Sequence, residues 1–379
     1  MDFAFSEEQD EFRAMVRRFV EERWPVAEVR RLAETETGFE RAIWKQMAAE
    51  LGLQGLAIPE AYGGQGFGFL ELGIALEELG RQLAGGPFLA SACLAAQAIL
   101  GAASEAQRAA LLPAIASGDS IAALAVLEPD GRAAPEGVAA TCRKVGGGWR
   151  VSGAKTCVVD GQNADLLVVA AREPGSAGAQ GVSLLAVRAD GPGVETTAVP
   201  GLDLTRKLAD LVLREAPAEP LGAPGAAWPA LSRALDLAAI ALAAEGTGAA
   251  ARCLESAVAY ARTRVQFARP IGSFQAIKHR AAEVMLELES ARSAAYWSWW
   301  VAAQADADAG AVAEAASVAK SVCSDAFLRA AADSLHIHGG IGFTWEFDCH
   351  LFLRRARASA QLFGDPVAHR ARLAERLGL

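Results

Sequence analysis

Apolar residues near the start of the chain recur at helical spacing. Phe12, Met15, Val16, Phe19 and Val20 fall three and four apart and make one face of a helix. Ser6 followed by Glu7 and Glu8 supplies an N-cap with acids in the first turn. The same pattern predicts helices around Ala42–Leu51, Leu70–Leu83 and Leu89–Leu100. The stretch AYGGQGFG at 61–68 punctuates them as a structural turn; it has neither the spacing nor the preceding strand of a dinucleotide-binding glycine loop.

From about 119 to 222 the period changes. IAALAVL, GWRVSGAKTCVV, ADLLVVAA, VSLLAVRA and LADLVLREA are short, β-branched and bounded by Gly, Pro and Asp, as antiparallel strands are. GAPGAAWP at 222–229 closes this segment. Beyond it the helical period returns. Pro229 suits the first turn of a helix running to Arg264, about 35 residues and ~52 Å long. Only a large, often oligomeric, bundle gives such a helix enough surface to bury. Further helices are predicted over Phe274–Ala302, Ala311–Ile337 and near His350–Phe363, with the glycine turn HIHGGIGF before the last. The order is therefore helical domain (1–118), β domain (119–225), helical bundle (226–379). No βα alternation, P-loop, G-x-S-x-G or H-E-x-x-H is present, so a Rossmann sheet and the commonest hydrolase motifs are excluded.

Composition sharpens this. Apolar residues make up 52% of 379, with alanine in excess, which favours close-packed helices. A net charge of −9 without a long basic block excludes a protein that coats nucleic acid or an anionic membrane. The six cysteines are scattered and form no C-x-x-C, so neither a disulfide framework nor a zinc site is expected. Reduced thiols, a polar N-terminus and the lack of a long apolar run lead us to expect a cytoplasmic, non-membrane protein.

Four stretches in order carry a family resemblance over the whole chain. They are FSEEQDEFRAMVRRFVEE near the start, LGLQGLAIPEAYGGQGFGFLELGIALEELG at 51–80, ARTRVQFARPIGSFQAIKHRAAE at 261–283 and HIHGGIGFTWEFDCHLFLRRAR at 336–357. Together they resemble the acyl-CoA dehydrogenase superfamily. The resemblance implies a mainly α fold with a central, antiparallel, barrel-like β domain and a C-terminal four-helix bundle. It also implies FAD, an acyl-CoA substrate in lipid metabolism, electron-transfer flavoprotein as acceptor, and a homo- or hetero-tetramer. The residues fit that cofactor. Arg264 and Arg269 flank Phe267 at a helix end; an arginine fork clamps a diphosphate and the ring offers adenine a flat face. Gly339 and Gly340 allow backbone N–H groups close to a phosphate. By resemblance these residues, with Gln275 and His336, hold the ADP half of an FAD seated mainly on a neighbouring subunit. Arg264 could otherwise be a solvated cation at the helix end. His336 and His338 without nearby acids or cysteines make a poor metal site. YWSWW at 296–300 reads as core or subunit interface.

The chain departs from the family where the chemistry is done. The family's base positions fall on Phe363 and Ala238, neither of them acidic. Asp365, in LFGDP, is a candidate for a displaced base, with capping before Pro366 as its ordinary role. Glu245 lies two turns beyond Ala238, some 10 Å along the axis, with pairing inside the bundle as its ordinary role. At the flavin face Leu127 replaces a threonine before Glu128 and Pro129, and Cys157, Val158 and Val159 replace a W-I-T stretch. The ADP half is kept while the flavin face is apolar, as in subunits of heteromeric enzymes acting on sterol- or ring-derived thioesters. Three functions remain open: a dehydrogenase removing the α-proton with hydride passing to flavin N5, a non-catalytic subunit completing another chain's FAD site, and a flavin monooxygenase or oxidase on the same fold.

Overall fold

A computed structural model describes residues 5–304 and 307–379. Six helices come first: α1 (Glu7–Arg23), α2 (Val26–Ala33), α3 (Arg41–Leu51), α4 (Phe69–Arg81), α5 (Ala96–Ala102) and α6 (Glu105–Ala116). α1 starts as its sequence dictates. The Ser6 hydroxyl accepts from the Gln9 N–H, and the Gln9 side chain accepts from the Ser6 N–H. Val16, Phe19 and Val20 are buried, but Met15 is exposed. Residues Leu89–Ala95 wind as a wide π-helical segment into α5. The apolar spacing alone predicts neither α2 nor α6, although α6 carries its own signal, a capping box of Ser104 and Gln107.

Strands β1 (Ala122–Ala125), β2 (Thr141–Val145), β3 (Gly148–Val159), β4 (Leu166–Arg172), β5 (Val182–Arg188), β6 (Val194–Val199) and β7 (Leu208–Pro220) form one seven-stranded sheet. β3 and β7 are its long antiparallel pair, running from Trp149 opposite Ala218 to Val159 opposite Leu208. Two expectations need correction. The sheet is not a closed barrel, and it is not wholly antiparallel: β1 pairs parallel with β4, and β2 meets β4 through the parallel match of Thr141 with Arg172. The chain between β1 and β4 contains the entire β2–β3 hairpin, long enough for the crossover that parallel pairing needs.

The rest is helical: α7 (Trp228–Thr263), a small hairpin β8 (Val265–Gln266) and β9 (Arg269–Pro270), then α8 (Gln275–Ala303), α9 (Ala309–His338), α10 (Cys349–Gln361) and α11 (Pro366–Arg376). The 36-residue α7 is long and apolar enough to cross a membrane, yet 94% of its most apolar stretch is buried inside the protein, as in a core helix. α4 crosses it in backbone contact. A Cβ added at Gly80 would lie 2.0 Å from the Glu245 carbonyl oxygen, and one at Gly248 would lie 1.8 Å from that of Glu77. Glycine is required at both places by the approach. From the YWSWW run, Trp299 is fully buried against Gly73, so this run serves the core.

The three regions are joined by a buried ionic cluster. The segment between β6 and β7 brings Asp203, Thr205, Arg206 and Lys207 to the bundle. Arg206 donates through Nη2 to both oxygens of Glu245, at 2.7 and 2.6 Å, and through Nη1 to Ser359 Oγ at 3.0 Å. Arg355 pairs with both Glu245 and Asp203. Lys207 Nζ reaches the Ala33 carbonyl at 2.8 Å. Glu245, Asp203 and Arg355 are all buried. Burial opposes the charge on Glu245, but Arg206 and Arg355 overcome it and hold its pKa below the ordinary value.

This cluster makes a direct prediction. Glu245→Ala leaves Arg206 without its anion and buried Arg355 with Asp203 alone, and should lower stability by about 3–5 kcal/mol. Urea unfolding of the variant checks it; a loss under ~1 kcal/mol would show that the cluster is not holding the three regions together.

Candidate functional site

The bundle presents two features at opposite ends of α7. At its C-terminal end Tyr260, Ala261, Ile271, Ile277 and Ile337 pack into a small cluster of their own. That packing brings together the ends of α7 and α9 and the start of α8. Arg264 caps α7, is exposed, and has no ion pair among the described residues. Phe267 and Ala268, at the tip of the β8–β9 hairpin, both lie at positive φ, 53° and 61°. That conformation strains residues with a Cβ. Phe267 is nevertheless 86% exposed, touching its own chain only edge-on at the Phe274 ring, 6.1 Å away among the described residues, so little burial offsets that strain. The Arg269 guanidinium lies over the Phe274 ring at 4.1 Å. Gln275 and His336 are exposed on the same edge. Gly339 takes φ +67°, and a Cβ at either Gly339 or Gly340 would meet nothing within 4 Å. Gly340 is thus not required by anything in its own chain.

His336 and His338 separate as helix geometry dictates. His336 faces outward, while His338 is buried, stacked on Tyr260 at 4.4 Å with Nδ1 2.7 Å from the Ser334 carbonyl oxygen. They cannot share a metal ion, and no metal-binding cluster occurs among the described residues.

At the N-terminal end of α7 a cavity of about 510 Å³ lies between the β domain and the bundle. Trp228, Ser232, Leu235 and Asp236 line it from one face of α7. The β domain contributes Leu124, Val126, Leu127 and Thr156 through Val159. Residues 361–364 and the α11 face of Ala368, His369 and Arg372 close it. The polar groups on the β wall are already committed. Thr156 Oγ1 donates to Asp210 Oδ1 at 2.6 Å, and the Cys157 N–H donates to the same oxygen at 3.0 Å. Glu128 is buried and held by Lys155 Nζ at 2.6 Å and by the N–H groups of Ala139 and Ala140, both at 3.0 Å. It anchors the loop carrying Leu127 rather than facing the cavity. Leu127, Val159 and Phe363 themselves line the cavity, while Ala238 is buried outside it.

The two carboxylates considered as a base are both placed elsewhere. Asp365 is the N-cap of α11, its Oδ1 accepting from the Ala368 N–H at 2.7 Å, and it is not among the cavity-lining residues. Glu245 belongs to the buried cluster and is likewise outside the cavity wall. The cavity's acid is one that sequence reasoning missed. Asp236 is 4% exposed and bound to Arg372 at 2.8 Å. Burial raises its pKa against the pull of Arg372. An aspartate inside an alanine-rich apolar helix was the available signal, and Trp228, Ser232 and Asp236 at four-residue spacing show which way it faces.

The loop 361–364 is fixed from behind. Phe363 has φ 58°, and its carbonyl accepts from His369 Nε2 at 3.0 Å. His369 Nδ1 lies 3.2 Å from Ser317 Oγ. Buried Lys320 donates to the carbonyls of Ser359 and Ala360, satisfying the end of α10. Burial pushes the His369 pKa down to about 4, so it is neutral at pH 7. Its folded pKa lies below its unfolded value of ~6.5. The stability it contributes is therefore full above that value and is lost as pH falls towards 4. The expected loss is about 2–3 kcal/mol across this window. His369→Gln should remove that part of the acid limb in pH-dependent unfolding; an unchanged difference between pH 7 and pH 4 would show that His369 carries no such burden.

Comparison with known proteins places these features in a family. The acyl-CoA dehydrogenase N-terminal, middle and C-terminal domain models match residues 6–119, 123–213 and 225–378. The acyl-CoA dehydrogenase IpdE2 of Mycobacterium tuberculosis is 36% identical over 361 residues, 95% of this chain and 94% of that protein. Among solved structures, the Tcur3481–Tcur3483 steroid ACAD superposes with TM-score 0.87 at 31% identity, over 98% of both chains. The ChsE4–ChsE5 complex from Mycobacterium tuberculosis superposes with TM-score 0.88 at 28% identity, over 100% of this chain and 99% of that one.

Proposed function

The chain belongs to the acyl-CoA dehydrogenase family, and from that premise we propose that it works as one subunit of a heteromeric enzyme, holding the ADP half of an FAD whose ring sits in a companion chain. It is an acyl-CoA dehydrogenase-type oxidoreductase with FAD as cofactor. When bound, FAD accepts the hydride released from the acyl β-carbon. The observation carrying the proposal is the contrast between the two ends of α7. At one end Arg264, Phe267, Gln275, His336, Gly339 and Gly340 form an exposed edge suited to a diphosphate and an adenine. At the other, the cavity offers a flavin ring Leu127, Val159 and Phe363. Flavin nitrogen and oxygen atoms set against these three side chains would find no partner in them, a cost absent when no ring sits there.

Distance supports the same reading. Asp236 and Arg264 are 28 positions apart on α7, about 42 Å at 1.5 Å per residue. One dinucleotide does not bridge the cavity and the edge of a single chain, so an FAD whose ADP half lies on this edge has its ring in a neighbour. The two solved relatives above are named as paired chains, one of them for steroid substrates, which favours a companion of different sequence and a bulky acyl group. In this assembly the residues of this chain bind and orient the ADP moiety, and the carboxylate that takes the α-proton comes from the companion. Electrons then pass to electron-transfer flavoprotein. The unpaired cysteines suit a cytoplasmic setting.

The test is to produce the chain alone and with the companion it co-purifies with. We expect little flavin on the lone chain, one FAD per pair in the assembly, and bleaching by an acyl-CoA only in the assembly. A lone chain that holds one FAD and is bleached by an acyl-CoA overturns the proposal. Arg264→Ala in the assembly should remove a charge-assisted contact worth roughly 1.5–3 kcal/mol, weakening FAD about tenfold or more. Arg264→Lys should restore only part of this, because an ammonium cannot form the bidentate fork. Unchanged FAD affinity by calorimetry would remove Arg264 from the site.

A further inference from the structure

The proposed FAD edge makes no use of the cavity at the other end of α7. Most of that cavity's surface is apolar, through Leu94, Leu124, Trp228, Leu235 and Phe363. One wall differs. Asp236 accepts from Arg372 Nη2 through Oδ1, while its Oδ2 has no hydrogen bond among the described residues. The Nε and Nη1 of Arg372 are equally without partners there. Arg233 and Arg376 are near enough for their charges to act on Asp236. The cavity wall itself carries Asp236 and Arg372, and Arg372 has donors to spare. The Arg372 side chain is 39% exposed, so its free donors remain within reach of a ligand.

We infer that this cavity binds amphipathic carboxylic acids, with a ring-sized apolar body inside and the carboxylate on the free edge of Arg372. Asp236 is then a positioning residue, holding the guanidinium in place and leaving its remaining donors to the ligand. The inference rests on the reading that no flavin ring occupies this chain's cavity.

The probe is abietic acid, a tricyclic carboxylic acid, compared with its uncharged methyl ester by titration calorimetry on the purified holo-assembly. The acid should bind at least about tenfold tighter than the ester, the ratio expected of one charge-assisted contact. Arg372→Gln should bring the acid down to the level of the ester. Equal binding of acid and ester, or binding of neither, overturns the inference. The comparison on the unaltered protein stands even where the variant does not fold. Flavin counted in the same samples separates the two readings. Failure here with one FAD per pair of chains leaves the shared-FAD proposal standing. One FAD per chain removes both, because the ring would then fill the cavity.

Discussion

A single rigid helix sets the terms for everything else in this protein. α7 runs 36 residues, about 54 Å, and joins the wall of the cavity to the exposed edge proposed for a dinucleotide. It can do so because its neighbours approach it closely. Alanine covers much of its surface, and Gly80 and Gly248 let α4 lie against its backbone. Near its middle Glu245 is locked by Arg206 from the β domain and Arg355 from α10. A rod held in this way does not bend to bring its ends together. The separation of the two features is therefore a fixed property of the chain, and the proposed sharing of FAD between chains rests on it.

Much of this fold was legible in the sequence because its signals are local. The 3.6-residue period, the Ser6 cap and Pro229 in the first turn of α7 act over a few residues, and each marks an element that is present. What escaped notice was short or non-local. α11 begins at Pro366, just after Gly364 and Asp365; the sequence offers Asp365 as a cap before that proline but does not show the helix behind it. The parallel pairing of β1 with β4 depends on a long crossover that no window of sequence describes. Met15 fits the helical stripe but stands at its margin, where spacing alone does not decide burial.

The candidate site divides along the same line. The edge proposed for the ADP moiety draws on residues close together in two motifs, Arg264–Gln275 and His336–Gly340, so its membership can be read along the sequence. The cavity draws on the β domain, α7 and α11, and its membership depends on packing across them. Asp365 and Glu245 were considered because they lie near family positions in the sequence. Proximity along the chain did not place them: one caps a helix and the other closes an ion cluster. Asp236, two residues from Ala238, does reach the cavity because its side of α7 faces that way.

The central claim is that one FAD is divided between two different chains, and photolabelling reads this directly. FAD carrying an azide on adenine and FAD carrying one on the isoalloxazine ring are bound separately to the native assembly, irradiated and mapped by mass spectrometry. The account predicts that the adenine azide marks this chain around Phe267 and Gly340, and that the ring azide marks only the companion. Ring label on residues 156–159 or 361–364 of this chain would contradict it.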